Sequence, residues 1–310
     1  MATVTAGAKP ATRRGASGGA RRREAIAGYA FALPFLVLFV IFTLGPVIAS
    51  LGMSFTDLRS ADINNPLAVE GVGLDNYTKL LKDDSFQQAA FNTAYFVLIG
   101  VPLTIGLALA VAVGLNSGIT RFKTLFRVGY YLPVVTSIVA IAVVWRFLLD
   151  PESGLVNTLL GYVGIDGPAW LESTTWAMPS LIVMSAWRNM GNLIIIFLAG
   201  LQTVPAEMHE AAAIDGAGAW GRFRHITLPM LRPTMLFGAV ITGIGYLQFF
   251  EEPFVMTQGG PLDKTLSVAY YAYNQFGFGN YSYAAAMAYT LFIVIAVVTF
   301  LQFKWLGEKN

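Results

Sequence analysis

The sequence predicts an all-α membrane protein with six transmembrane helices, and three observations carry that prediction. Only 12% of its 310 residues are charged and 55% are hydrophobic, whereas a soluble domain carries about 25% charged residues. Six apolar runs are long enough to cross a hydrocarbon core, which takes about 20 residues. Lys and Arg gather on alternate connecting segments, as the positive-inside rule requires.

Residues 1–24 are rich in Ala, Gly, Ser, Thr and Arg and lack aromatics. They are expected to form a disordered basic tail, because such a composition buries too little apolar surface to offset its ordering entropy. The tail reads as an orientation signal for the next span rather than as a nucleic-acid arm. The first span is expected over 25–53, too long for a signal-peptide core, with Pro34 and Pro46 as kink sites.

An outer loop follows over 54–87, then a core over 88–306 with five more spans near 88–115, 128–149, 177–201, 234–256 and 284–304. Each must be helical, since an open strand leaves backbone groups unpaired in lipid. With an inside N-terminus, the inner segments hold fourteen Lys and Arg, and the outer ones only Arg59, Lys79, Lys82 and Lys264. Both termini are therefore expected to be cytoplasmic. The second long outer loop, 150–176, carries acids without Lys or Arg, and its Trp170 and Trp176 suit the water interface. The uncharged, tyrosine-rich stretch 266–283 reads as an external interfacial helix; an aromatic sugar-stacking surface is the alternative.

The chain has no cysteine, which excludes disulfides, thiolate metal sites and cysteine nucleophiles, and only two histidines. Several motifs fail on context. GAGAWG at 216–221 has dinucleotide-loop spacing but follows a helix-prone segment instead of a strand, with no acid about 20 residues on. His209-Glu210 starts like a zinc-protease helix, yet Ala213 stands where the second histidine belongs. GGPLDKT at 259–265 lacks the glycine before Lys264 that a phosphate loop needs. Two sequons, at Asn76 and Asn280, are too common a pattern to indicate a host. No catalytic constellation and no metal site can be assembled.

Polar residues inside the spans are more informative, because an Arg at a helix centre costs about 2.5–3.5 kcal/mol on insertion scales. Arg146 sits four residues before Asp150, so a local ion pair is expected. Arg188 lies mid-span beside Trp187, Asn189 and Asn192, while Glu251 and Glu252 stand toward the outer end of the fifth span. Trp187, Arg188, Asn189, Asn192 and Glu251 are the candidate lining of a translocation path; a structural ion pair within the bundle is the alternative.

The polar stretch 203–233 lies between two spans on the expected cytoplasmic side. Pro205, Glu207 and the alanines at 211–213 favour a helix over 205–217, with Gly216 closing it in a left-handed conformation. Glu207, Glu210, Ala211 and Ile214 share one face. A second short helix is expected over about 220–226, ending before Pro229. The arrangement reads as a docking loop for a soluble partner, against the plainer reading of a linker.

The run EAAAIDGAGAWGRFRHITLP, from Glu210 to Pro229, resembles the EAA loop of permease subunits in bacterial ABC importers. Its matching positions are Glu210, Ala211, Ala212, Asp215, Gly216, Ala217, Phe223 and Pro229. YYLPVVTSIVAIAVVWRFLLDPESGLVN at 130–157, LAGLQTVPAE at 198–207 and FFEEPFVMTQGGP at 249–261 extend the likeness, the last toward the carbohydrate-uptake branch. The resemblance implies the type I importer permease fold in the bacterial cytoplasmic membrane. It also implies a non-catalytic subunit without cofactor, which couples ATPase closure to alternating access for a sugar, polyol or glycerol phosphate. The partners implied are a second permease subunit, two cytoplasmic ATPases that bind the ATP and Mg, an external solute-binding protein and membrane lipid. The alternatives are an ion-coupled secondary transporter and a non-transporting structural subunit. Arg188 and Glu252 are not carried over from the family motif.

Overall fold

The computed structural model describes residues 18–65, 69–117 and 123–306. Among these residues no strand forms; Thr56 and Gly71 make an isolated bridge. The chain divides into two units, at Gly52 and Met53.

The first unit holds α1 (Gly18–Phe39), a π turn (Val40–Leu44) and most of α2 (Gly45–Met53). The expected tail lies outside the described residues up to 17, and from Gly18 the chain is helical rather than disordered. Ala20 and the run Arg21 to Glu24 are good helix formers that extend the span backwards. The π turn is where the kink residue Pro46 acts. Pro46 has no N–H for the carbonyl four residues back, and the Gly45 N–H instead reaches Val40 O in the wider π pattern.

The second unit contains α3 (Asp75–Leu80), α4 (Asp84–Ser117), α5 (Lys123–Val135), α6 (Ile138–Leu148), α7 (Leu155–Tyr162), α8 (Ala177–Leu201), α9 (Ala206–Ile214), α10 (Ala219–Arg222), α11 (Leu228–Met230), α12 (Arg232–Leu247), α13 (Glu251–Met256), α14 (Val268–Gly277) and α15 (Tyr281–Leu306). Four helical stretches are long and apolar enough to cross a membrane, and two bent pairs bring the total to as many as six.

Two of the expected spans are corrected. The run 128–149 is not one straight span: α5 and α6 meet at 107°. Pro133 removes a backbone donor, the Thr136 hydroxyl bonds back to Leu132 O at 2.7 Å, and Ser137 takes an extended ψ of 130°. The run 234–256 is also broken. α12 ends at Leu247, and α13 restarts at Glu251 with Pro253 in its first turn, where a missing N–H costs nothing.

α4, α8 and α12 form the centre of the bundle. At one end Leu80, Phe86, Leu266 and Met287 pack together; Phe96, Leu181, Met184 and Tyr246 fill the middle; Ala112, Leu193, Phe197 and Leu231 fill the other end. Membrane helices approach closely through small residues, and Gly191 is the tightest case across α5 and α8. A Cβ there would stand 2.2 Å from the Tyr130 carbonyl oxygen, which is backbone and cannot turn aside. Gly191→Ala should destabilise the protein by about 1–3 kcal/mol. An unchanged melting temperature in detergent would contradict this packing.

α4 starts at Asp84, ahead of the expected 88, because Asp83 caps it: its carboxylate accepts from Ser85 N at 3.0 Å and Phe86 N at 3.2 Å. The same carboxylate accepts the Tyr271 hydroxyl at 2.8 Å and the Tyr283 hydroxyl at 2.6 Å, tying α14 and α15 to the start of α4. Burial pushes the Asp83 carboxyl up, but these hydrogen bonds outweigh it and hold the group below its ordinary 3.8. Burial, then the bond to Asp83, pushes Tyr271 up to about 12. A depressed carboxyl pKa gives stability that is present above the unfolded value and lost as pH falls through the folded one. Asp83→Asn should therefore cost about 1 kcal/mol at neutral pH. In thermal melts the deficit should vanish below the native carboxyl pKa.

One outer-segment expectation changes. Asp150 does not pair with Arg146; its carboxylate accepts from Ser153 N, Ser153 Oγ and Glu152 N. α6 has already ended at Leu148, so Asp150 caps the following turn. The tyrosine-rich stretch does form a helix, α14, with Ser267 Oγ accepting from Tyr270 N at 3.0 Å. Its Tyr270 is buried, packing edge-on against Phe250 and Phe254. The sequon at Asn76 is closed off: the side chain is buried and donates to Ser54 O and Thr56 O.

Candidate functional site

Two features stand out, an exposed loop at one end of the bundle and a polar cavity inside it. The loop begins at Pro205, whose extended ψ of 132° starts α9 with Glu207 in the first turn. Asp215 follows the last helical residue and Gly216 takes a φ of +81°. Ala217 N then bonds to Ala212 O at 2.8 Å and Gly216 N to Ala213 O at 3.1 Å. Those two bonds make a Schellman closure, which satisfies carbonyls at the helix end and needs the left-handed residue.

Beyond Gly218 the chain is helical again from Ala219 through Met230, with a π turn at Phe223–Thr227. This second helix therefore passes through Pro229 instead of stopping before it. The π turn absorbs the missing proline donor, with Leu228 N reaching Phe223 O. The same device precedes Pro46. Around Leu231 the chain then bends by 67° into α12.

No residue of α9 is buried. Glu207, Glu210, Ala211, Asp215 and Gly216 are exposed, and Ile214 and Trp220 present 86% and 70% of their surfaces. Ala212, Ala217, Phe223 and Pro229 are half-buried and hold the loop together, with Phe223 against the Trp220 ring at 5.5 Å. A nine-residue helix with no buried face is marginal on its own, and large exposed apolar side chains mark an interaction surface.

The cavity, of about 500 Å³, is lined by Arg188, Asn189, Asn192, Leu193 and Ile196 of α8. Opposite stand Ile241, Thr242, Gly245 and Tyr246 of α12, the break Gln248 to Phe250, and Glu251 and Glu252 of α13. Arg188 Nη1 lies 3.7 Å from Glu251 Oε2, a loose ion pair whose acid is half exposed. Arg188 Nε is buried without a partner. Glu252 is buried and accepts from Ser185 Oγ at 3.1 Å. Tyr246 shares a hydrogen bond with Thr104 at 2.8 Å.

Four of the five predicted path residues, Arg188, Asn189, Asn192 and Glu251, thus meet around one space. Trp187 does not: a helix turns about 100° per residue, which carries it to another face, where its ring lies 5.8 Å from that of Trp145. Glu252 and Tyr246 were not singled out as lining. Both acids line the cavity, and which of them is buried depends on the break after Leu247, of which a continuous span gives no hint. Among the described residues no group of His, Asp or Glu is arranged to hold a metal ion.

The family of binding-protein-dependent transport system inner membrane components matches residues 100–309. The chain belongs to this family. As such it is a multi-pass inner-membrane permease subunit of an ABC importer, without catalysis of its own. Membership sets aside the ion-coupled and purely structural alternatives. The permease is 36% identical over 296 residues to the lactose transport system permease protein LacF of Rhizobium radiobacter, covering 94% of this chain and 97% of that one. It is 34% identical over 285 residues to the arabinooligosaccharides transport system permease protein AraP of Bacillus subtilis, covering 91% and 89%. Among solved structures it resembles a permease chain of a bacterial alginate ABC transporter in complex with alginate pentasaccharide-bound periplasmic protein. The TM-score is 0.76 at 26% identity, over 93% of this chain and 97% of that one.

Proposed function

We propose that this permease carries a sugar or a related polyol or glycerol phosphate, and that α9 with Gly216 is the joint through which ATP hydrolysis drives it. The working assembly adds a second, homologous permease subunit, two cytoplasmic ATPases that bind the ATP and Mg, and an external solute-binding protein. The observation that carries the reading is α9 itself, a short helix with every residue at least partly exposed. Seated in a groove of an ATPase, it gains the buried face that it lacks alone. Glu210 and Asp215 supply charge-assisted acceptors, and Ala211 allows close approach. Relatives named for lactose and arabinooligosaccharides support the sugar assignment.

Both termini lie in the cytoplasm on this reading, as the Lys and Arg distribution supports. ATP binding favours the outward-facing state only if the closed ATPases grip the α9 loops better in that state. The cavity of Arg188, Asn189, Asn192 and Glu251 then borders the solute path. The Arg188 guanidinium, whose Nε has no partner, and the side-chain amides of Asn189 and Asn192 line the cavity and offer hydroxyl groups hydrogen bonds in place of water.

The test is purification of the affinity-tagged chain from its own membranes. An ATPase and a second permease should accompany it, and the ATPase should turn over faster when solute-loaded binding protein is added. A chain that purifies alone and drives uptake in ATP-free vesicles under an ion gradient would refute the proposal.

A further inference from the structure

The segment between α6 and α8 contains a helix that the bundle does not cover. α7 places Leu155, Leu159 and Tyr162 at i, i+4 and i+7, one stripe of a helix, and its C-cap residue Val163 continues the stripe at i+8. All four are exposed, by 54 to 82%. On the opposite side Val156, Asn157 and Leu160 are half-buried. The amphipathic face therefore points away from the protein.

Asn157 ties α7 to the segment that leads into α8. Its Oδ1 accepts the Trp170 indole N–H at 2.6 Å, and its Nδ2 donates to Pro151 O and Pro168 O. The Trp170 ring lies 5.3 Å from that of Trp176, the residue that immediately precedes the span Ala177–Leu201. The inner face of α7 is thus about one indole away from the point where α8 enters the bilayer, a depth that tryptophans favour.

We infer that α7 is an interfacial anchor, lying in the leaflet at the Trp176 end of α8 with Leu155, Leu159, Tyr162 and Val163 among the upper acyl chains. The stripe carries no charge, and residues 150–176 contain no Lys or Arg. Its attachment is accordingly apolar insertion rather than attraction to anionic headgroups. Lipid is the occupant that the position favours, because the stripe sits at the boundary of spans already immersed in it. An anchor here holds the end of α6 and the start of α8 at fixed depth.

This chain has no cysteine, so each introduced cysteine is its only thiol, and the unsubstituted complex labelled in parallel gives the background from the other subunits. Leu159→Cys, Tyr162→Cys and, as an exposed control before the helix, Glu152→Cys are labelled singly with bimane in the intact complex. The complex is held in phosphatidylcholine nanodiscs. A lipid nitroxide near the top of its acyl chain should quench the labels at 159 and 162 by roughly twofold or more. Aqueous iodide should quench only the label at 152. Iodide reaching all three labels equally would place the stripe in water. Protection of 159 and 162 from both quenchers would show that a protein partner covers it. Either result overturns the inference.

Discussion

Gly216→Leu should abolish solute uptake while leaving ATP hydrolysis by the partner subunits running. At a φ of +81° an L-residue pays for the left-handed conformation, at about 1–2 kcal/mol. There is open space around the glycine, so the effect is conformational and not a clash. Loss of the Schellman closure lets the end of α9 unwind, and Glu210 and Asp215 leave their places. A loss of uptake of tenfold or more corresponds to about 1.4 kcal/mol of coupling energy. Gly216→Asn should retain most of the uptake, since asparagine tolerates the left-handed region. Glu210→Lys should uncouple in the same way by reversing a docking charge. Wild-type uptake in the Gly216→Leu and Glu210→Lys variants would sink the coupling role.

Arg188→Leu is expected to have the second large effect. It removes the one cation in the cavity lining, which pairs with Glu251 and whose charge also acts on the buried Glu252. Glu252 is buried and loses that countercharge, so the single variant should lower membrane abundance as well as uptake. Arg188→Leu combined with Glu252→Gln separates the two roles. The double variant should recover abundance and assembly yet transport at least tenfold more slowly, about 1.4 kcal/mol in free energy. Normal transport by the double variant would leave the cavity a packing feature and nothing more.

The parts of the fold legible in the sequence were those governed by composition and local chemistry. Spans follow from apolar length, and the α9 loop follows from Pro205, its alanines and Gly216, each acting within one turn. Breaks in the helices were less legible. Pro133 and Pro253 were visible, but whether a proline bends a span, ends it or is absorbed depends on the neighbouring donors. Pro229 is absorbed by a π turn, whereas Pro253 stands at a restart. The lining of the cavity suffered from the same gap. Arg188, Asn189 and Asn192 lie on one unbroken helix and could be placed together, while the burial of Glu252 depends on α12 stopping at Leu247. α7 was hidden because its stripe is short and lies outside the spans.

The most direct test of the central claim is ATP hydrolysis by the complex reconstituted in proteoliposomes. It is measured with its binding protein over a panel of oligosaccharides, monosaccharides, polyols and glycerol phosphates. The account predicts that one member of the panel raises hydrolysis together with its own uptake. It also predicts that Gly216→Leu leaves hydrolysis but removes the accumulated solute. Hydrolysis that is flat across the whole panel, or uptake that survives in Gly216→Leu, would contradict it.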